Sequence, residues 1–200
     1  MYEELADEGF TVITVGIERS PEDARPWIEK ARPQHPSLID IEHLVPDLYG
    51  MINVPTVVWI DEEGRIARPN DASFASNRFK LLTGLDSKRH LRRLRAWVRG
   101  DAPALTPSEV RKHQDLPTAV EQEARAEFTL AWWLSREGHD DDAERHYERA
   151  GELAPHDITI RRGSMRTRGL NPMGFAFLKI AIKSALTRTP LYRRIEDSPA

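Results

Sequence analysis

The chain of 200 residues contains no cysteine. It can therefore form no disulfide, no thiolate metal site and no thiol nucleophile from its own residues. No apolar run reaches the roughly 20 residues that a transmembrane helix needs. The N-terminal stretch MYEELADEGF is acidic, unlike a signal or transit peptide. As written, the chain is predicted to be cytoplasmic, whereas a longer protein could be exported or membrane-anchored.

Several catalytic and binding patterns are also missing. There is no glycine-rich phosphate loop and no Gly-x-Ser-x-Gly elbow, and the histidines lack the paired spacing of metal ligands. The run HDDDAERH at 139–146 is better explained as a helix start, where Asp140 to Asp142 complement the helix dipole. We predict no metal and no cofactor. Because aromatic residues do not alternate with basic ones, we also predict no nucleic-acid partner.

Charge is unevenly distributed along the chain. Residues 158–195 hold nine Lys or Arg and no Asp or Glu, so the rest holds 20 against 32, a formal charge of −12. An acidic body therefore carries a basic C-terminal segment. Four arginines of that segment either hold an acidic partner or are simply solvated: Arg161, Arg162, Arg166 and Arg168.

The first hundred residues alternate predicted helices and strands. β-Rich runs predict strands at 10–17, 36–40, 54–61 and 65–69, the last two joined by a glycine-containing turn. The first run carries no charge, which is typical of a strand buried on both faces. Helices are predicted at 1–9, from Ser20 and Pro21 onward, at 43–51 and at 87–100. This order predicts an α/β layer architecture with a mixed sheet at 1–100.

The second half is predicted to be helical. Residues 101–118 contain three prolines and few large apolar residues, so we place a linker there. Two amphipathic stretches then surround Gly138, and a further helix is predicted at 174–186. The predicted helical domain is 119–187, followed by a tail at 188–200.

The stretch YGMINVPTVVWIDEEGRI, residues 49–66, carries the most specific signal. Proline cannot donate to a sheet ladder, so Pro55 belongs at a strand start, where free backbone groups can pair with an extended peptide. The simpler alternative is that Pro55 only begins the strand. Together with the element order, this stretch resembles the thioredoxin-like fold, in particular the redoxin branch of TlpA/ResA-type thiol–disulfide oxidoreductases and peroxiredoxin relatives. The matching residues are Tyr49, Gly50, Pro55, Thr56, Ile60, Asp61, Gly64 and Ile66.

The resemblance implies a binding site for a disulfide-bearing protein. Pro55 would be the cis-proline beside the active site, and Val54, Pro55 and Thr56 would bind substrate, with Val54 offering its backbone groups. Glu18 follows the first strand where some ResA-like proteins carry a functional acidic residue. We favour the alternative that Glu18 is a solvated loop residue.

The redox motif of that family, Cys-x-x-Cys at a helix N-terminus, is not in this chain. Residues 1–9 match the later part of that helix, so the first strand and the motif would lie upstream. Three explanations remain open: a truncated reading frame with upstream cysteines, an upstream selenocysteine, or a chain that has lost redox function. We favour truncation, with or without selenocysteine, over a chain that has lost redox function, because a sheet without its central strand would expose Val12, Ile13 and Val15 along an open edge. The sequence leaves the first two explanations open. As written, the chain is expected to be inactive in redox chemistry.

Residues 124–157 resemble one tetratricopeptide repeat, a pair of helices with small residues at their crossing and a closing proline. The matching positions are Leu130, Ala131, Gly138, Ala143, Tyr147, Ala150 and Pro155. Leu134 and Glu127 depart from the usual residues, and a generic helix pair is the alternative. The adjacent Trp132 and Trp133 must point in different directions, one into the core and the other toward the first domain or a partner.

Two functions follow as hypotheses. The first is a redoxin of the thiol–disulfide oxidoreductase lineage whose redox motif is missing from this chain. The second is a non-catalytic adaptor in which the repeat binds a protein and the redoxin domain is a scaffold. The helix at 174–186, with Lys179 and Lys183 on one stripe, could cap the repeat or lie on an anionic membrane, and we favour the cap.

Overall fold

The computed structural model describes residues 1–72, 86–114, 116–172, 174–187 and 195. The first half contains helix α1 (Tyr2–Leu5), a 3₁₀ turn (Ala6–Glu8), β1 (Thr14–Ile17), α2 (Pro21–Ala31), β2 (Ser37–Asp40), α3 (Leu44–Leu48), β3 (Val57–Ile60), β4 (Ile66–Asp71) and α4 (Ser87–Val98). The second half contains α5 (Pro107–Gln114), α6 (Ala119–Arg136), α7 (Asp140–Leu153), α8 (Ile158–Gly163) and α9 (Phe175–Thr187). The predicted α/β class is thereby confirmed.

The strands form two separate ribbons. β1 and β2 run parallel, in register from Thr14 opposite Ser37 to Ile17 opposite Asp40. β3 and β4 form an antiparallel hairpin. Among the described residues, no hydrogen bonds join β1 to β3. The single mixed sheet that the sequence predicted is therefore absent from this part of the chain, because no described strand lies between the two pairs.

The first strand is shorter and more open than its sequence predicted. Strand pairing begins only at Thr14, and the side chain of Ile13 is 58% exposed. The prediction that residues 10–17 are buried on both faces was wrong. β1 has β2 along one edge, and α2 lies beside it where Gly16 faces Ala24.

The N-terminal helix packs beside α4. Leu5 is fully buried, and two carboxylates reach α4 arginines: Glu4 Oε1 lies 2.7 Å from Arg95 Nε, and Glu8 accepts from Arg99 at 2.9 Å. Beneath α4, a small core joins Trp59 of β3 to the helix, with its ring stacked 5.2 Å from that of Trp97. The hairpin and α4 thus form one packed unit.

The predicted linker is partly helical. Residues 101–118 contain α5, whose Val110 is buried, and the backbone N–H of Leu105 donates to the carbonyl of Ala67 on β4 at 3.3 Å. Thr106 and Glu109 exchange hydrogen bonds at the start of α5 as a capping box would. The low apolar content of this segment hid a helix that needs only one buried side chain to pack against β4.

The helical half is built around α6 and α7. A capping box between Thr118 and Glu121 begins α6, and Gly138 adopts a φ of 83° in the turn between the helices. The core contains Ala124, Phe128, Ala131, Trp132, Ala143, Tyr147, Ala150, Ala154 and Ile160. α9 packs on a second cluster with Ile158, Met165 and Ile180. Within the described ranges, no helix has the length and apolar character to cross a bilayer.

Candidate functional site: the loop before β3 and the helices that hold it

Two buried asparagines hold the loop that enters β3, one from the hairpin and one from within the loop. Asn70 of β4 donates its side-chain amide to the carbonyls of Tyr49, at 2.6 Å, and Gly50, at 3.2 Å. Asn53 is 1% exposed and donates to the carbonyl of Pro55 at 3.1 Å. The Val54–Pro55 peptide bond is cis, as the resemblance implied.

Val54 and Pro55 themselves lie at the surface. Val54 is 40% exposed, and none of the hydrogen bonds found among the described residues involves its backbone N–H or C=O. The hydroxyl of Thr56, by contrast, is buried and has no hydrogen-bond partner. The entrance to β3 therefore presents one free donor and one free acceptor to an extended chain.

The backbone just before Val54 is held by the helical half. The N–H of Ile158, the first residue of α8, donates to the carbonyl of Ile52 at 2.6 Å. The hydroxyl of Thr159 donates to the carbonyl of Met51 at 3.2 Å, and the guanidinium of Arg125 donates to the same carbonyl. The helical half thus fixes the inner side of the loop while Val54 remains open outside.

Arg125 of α6 is the centre of this contact. Its Nη2 lies 2.6 Å from the carboxylate of Asp157, which also caps α8 by accepting from the N–H groups of Thr159 and Ile160. Its Nη1 lies 3.2 Å from Asp47 of α3, at an angle that does not make a hydrogen bond, so this pair is electrostatic. Burial raises the pKa of Asp47, although Arg125 acts in the opposite direction.

A second contact is aromatic. The ring of His43 is 5% exposed and lies between Trp132, at 4.4 Å between centroids, and Phe128, at 5.4 Å. Neither ring nitrogen has a hydrogen-bond partner, and burial lowers the pKa of His43 to about 4. The indole N–H of Trp132 donates to the carbonyl of Ile41 at 3.0 Å. His43 is therefore a neutral, buried ring between the two halves.

The structure divides the predicted repeat residues into two groups. Ala131, Trp132, Ala143, Tyr147 and Ala150 are buried in the core of α6 and α7. Leu130 and Trp133, which are 42% and 54% exposed, lie outside that core. Trp132 both packs in the core and contacts the first half, and Trp133 faces solvent.

The four arginines at 161–168 in the basic segment make contacts within the chain. Arg166 lies 3.5 Å from Glu18, and Arg168 pairs with Glu144. Arg161 donates to the carbonyl of Gly151 and Arg162 to that of Pro172. Arg161, Arg162 and Arg168 are thus partly buried rather than simply solvated, whereas the side chain of Arg166 is 64% exposed. Glu18 makes a surface ion pair with Arg166.

A separate buried ion pair lies in β4. Arg68 and Asp71 are 4% and 0% exposed, and their charged groups are 2.8 Å apart. The Arg68 guanidinium also lies 5.4 Å from the ring of Trp59, and Nδ1 of His90 is 3.8 Å from Asp71. This pair stabilises the hairpin against α4 rather than facing the loop.

Sequence reasoning missed Arg125, Asp157 and His43. One signal was available: Asp157 directly precedes the apolar start of α8, which is the position of an N-cap. Arg125 follows a buried alanine on α6, and His43 is one of seven scattered histidines, so neither had a local signature. Among the described residues, no group of three or more His, Cys, Asp or Glu is placed to hold a metal ion.

Comparison of the chain with protein-family models, with curated proteins and with solved structures finds no match.

Proposed function

We propose that this chain is a thioredoxin-like, redoxin-lineage protein whose loop before β3 binds an extended segment of a partner protein. The observation that carries the proposal is the exposed Val54 with its free backbone donor and acceptor at a strand entrance. Two further features support it: the parallel β1–α2–β2 unit, and the β3–β4 hairpin closed by α4. A strand entrance with free backbone groups recognises peptides largely independently of their sequence.

This chain supplies binding and not redox chemistry. Thiol–disulfide exchange needs a thiolate to attack a substrate sulfur, and the chain contains no cysteine. Val54 and Pro55 would orient the peptide, and the contacts of Arg125 and Thr159 with Met51 would keep the loop in the binding conformation. The partner is a protein with an extended, disulfide-bearing segment.

The alternative is an adaptor that binds through the helical half. It is favoured by one observation: Leu130 and Trp133, three residues apart on α6, are both large, apolar and exposed. Exposed tryptophan is enriched where proteins bind each other. In this case the first half serves as a scaffold for the helices.

One titration separates the two proposals. We would add reduced, carboxamidomethylated ribonuclease, an extended chain, to the ¹⁵N-labelled protein and follow backbone amide shifts. The first proposal predicts shifts at residues 52–57 that Val54→Pro abolishes, because proline has no N–H to donate. The control variant is Leu44→Ser, at a residue of α3 that is 58% exposed and lies outside the loop. It should leave the shifts at residues 52–57 unchanged.

Each outcome assigns the site. Shifts confined to α6, lost in Leu130→Ser/Trp133→Ser and retained in Val54→Pro, would replace the first proposal by the adaptor. No shifts at millimolar probe would overturn peptide binding at the loop. Thermal unfolding of every variant establishes that the loss of binding is not loss of fold.

A further inference from the structure

Helix α9 carries a stripe of large apolar side chains on its outer face. Phe175, Leu178, Ile182 and Leu186 are 70%, 50%, 51% and 80% exposed. Their spacing of three, four and four residues places them on one side of the helix. Scattered exposed apolar residues are ordinary, but four in a row along one helix form a continuous strip.

The opposite face of α9 is the one that packs against the protein. Ile180 is buried with Ile158 and Met165, and Ala176, Phe177 and Ala181 pack against the same cluster. The inner face thus packs on the segment that begins with α8, next to the predicted repeat. The outer stripe contributes nothing to this packing, so its apolar character needs a different explanation.

The charges beside the stripe are positive. Lys179 and Lys183 flank it four residues apart, and the ammonium of Lys179 lies 4.9 Å from the ring centroid of Phe175. α9 contains no acidic residue, and the segment 158–195 carries nine basic residues and no acidic one. Lys179 and Lys183 are therefore the cations that α9 itself places beside the stripe.

We propose that α9 is a peripheral membrane-binding helix that lies on an anionic lipid bilayer with its outer stripe facing the acyl chains. At about 1.5 Å per residue its 13 residues extend roughly 20 Å, which suits a helix in the plane of the interface rather than across the bilayer. Lysine bears a compact charge on a long apolar stem, so it can reach phosphate headgroups while the stripe is immersed. This proposal does not depend on the function proposed for the loop before β3.

The absence of cysteine provides a direct assay. Leu178→Cys creates the only thiol in the chain, which can carry an environment-sensitive nitrobenzoxadiazole dye. With vesicles of phosphatidylcholine and phosphatidylglycerol at equal amounts, its emission should shift to the blue and intensify several-fold. Leu116→Cys is the matched control, because Leu116 is 76% exposed outside the stripe and its dye should not respond.

Two further variants test apolar and charge contributions separately. Ile182→Asp should abolish vesicle binding in a co-sedimentation assay, whereas Val120→Asp, at a site 50% exposed on α6, should not change it. Lys179→Gln/Lys183→Gln should weaken binding by roughly 30-fold, because each lysine near an anionic surface contributes about a factor of five. Circular dichroism checks that each variant retains its helices.

The remaining outcomes would overturn the proposal. No dye response to anionic vesicles would exclude a membrane role for α9, and sedimentation unaffected by Ile182→Asp would place the binding elsewhere. A dye response that grows with protein concentration without lipid would make the stripe a contact between two copies. An equal response to poly-glutamate would make it a site for an acidic protein.

Discussion

His43 provides the sharpest test of how the two halves are joined. Its ring is buried between Phe128 and Trp132, and both ring nitrogens lack partners. A charged imidazolium at this site would lose its hydration without gaining a hydrogen bond. The perturbation is therefore protonation itself, and His43→Phe is the variant that removes it while keeping an aromatic ring in the contact.

The size of the expected change in unfolding free energy follows from the pKa of His43. Burial lowers the pKa of His43 from its ordinary 6.5 to about 4, with the charge of Arg125 adding to this effect and Asp40 and Glu42 opposing it. That difference corresponds to about 3 kcal/mol of unfolding free energy. Because the folded state disfavours the proton, this stability is fully present above pH 6.5. It is lost as the pH falls from 6.5 through about 4.

The assay is urea unfolding at pH 7, 5.5 and 4, followed by tryptophan fluorescence, to which Trp132 contributes from the contact itself. Between pH 7 and pH 4, the unfolding free energy of His43→Phe should fall by about 3 kcal/mol less than that of the natural chain. His139→Gln, at an exposed histidine, is the control and should behave like the natural chain. If His43→Phe shows the same loss as the natural chain, the reasoning from burial is refuted.

Three other substitutions test the remaining contacts by urea unfolding. Arg125→Met removes the arginine from the carboxylates of Asp47 and Asp157 and should lower the unfolding free energy by roughly 3 kcal/mol. A decrease of less than about 1 kcal/mol would show that water replaces the arginine at these carboxylates. Trp132→Phe should lower the unfolding free energy by about 1 to 2 kcal/mol, because it removes the hydrogen bond to the carbonyl of Ile41. Trp133→Phe, at the surface, should lower it by less than about 0.5 kcal/mol. Arg68→Met should lower the unfolding free energy by roughly 3 kcal/mol, because it removes the arginine from the buried carboxylate of Asp71. An unchanged unfolding midpoint would contradict the importance of that pair.

These contacts bear on the proposed peptide site. The residues that hold the loop from the helical side contact Met51 and Ile52, three and two positions before Val54. Loosening the contact at His43 or Arg125 would therefore change the loop and not only the global stability. We expect the low-pH weakening of the contact to reduce peptide binding in parallel.

Most of the element order could be predicted from local patterns. Proline at the first turn of α2, the capping box of α6 and the glycine between α6 and α7 are signals that act within four or five residues. The proline and the glycine predicted where α2 begins and where α6 and α7 are separated, whereas the capping box is a local signal that sequence reasoning missed. The helix α5 was missed because its one buried side chain, Val110, leaves no periodic apolar pattern.

The long-range features followed no local pattern. Trp132 and Trp133 are adjacent residues of the same type. Only Trp132 donates a hydrogen bond to the carbonyl of Ile41, 91 positions earlier in the chain, whereas Trp133 is exposed. The openness of β1 and the depressed pKa of His43 depend in the same way on which elements pack nearby. Spacing along the chain sets the direction of a side chain, whereas burial, desolvation and charge pairing are set by residues far away in sequence, so they arise only in the folded protein.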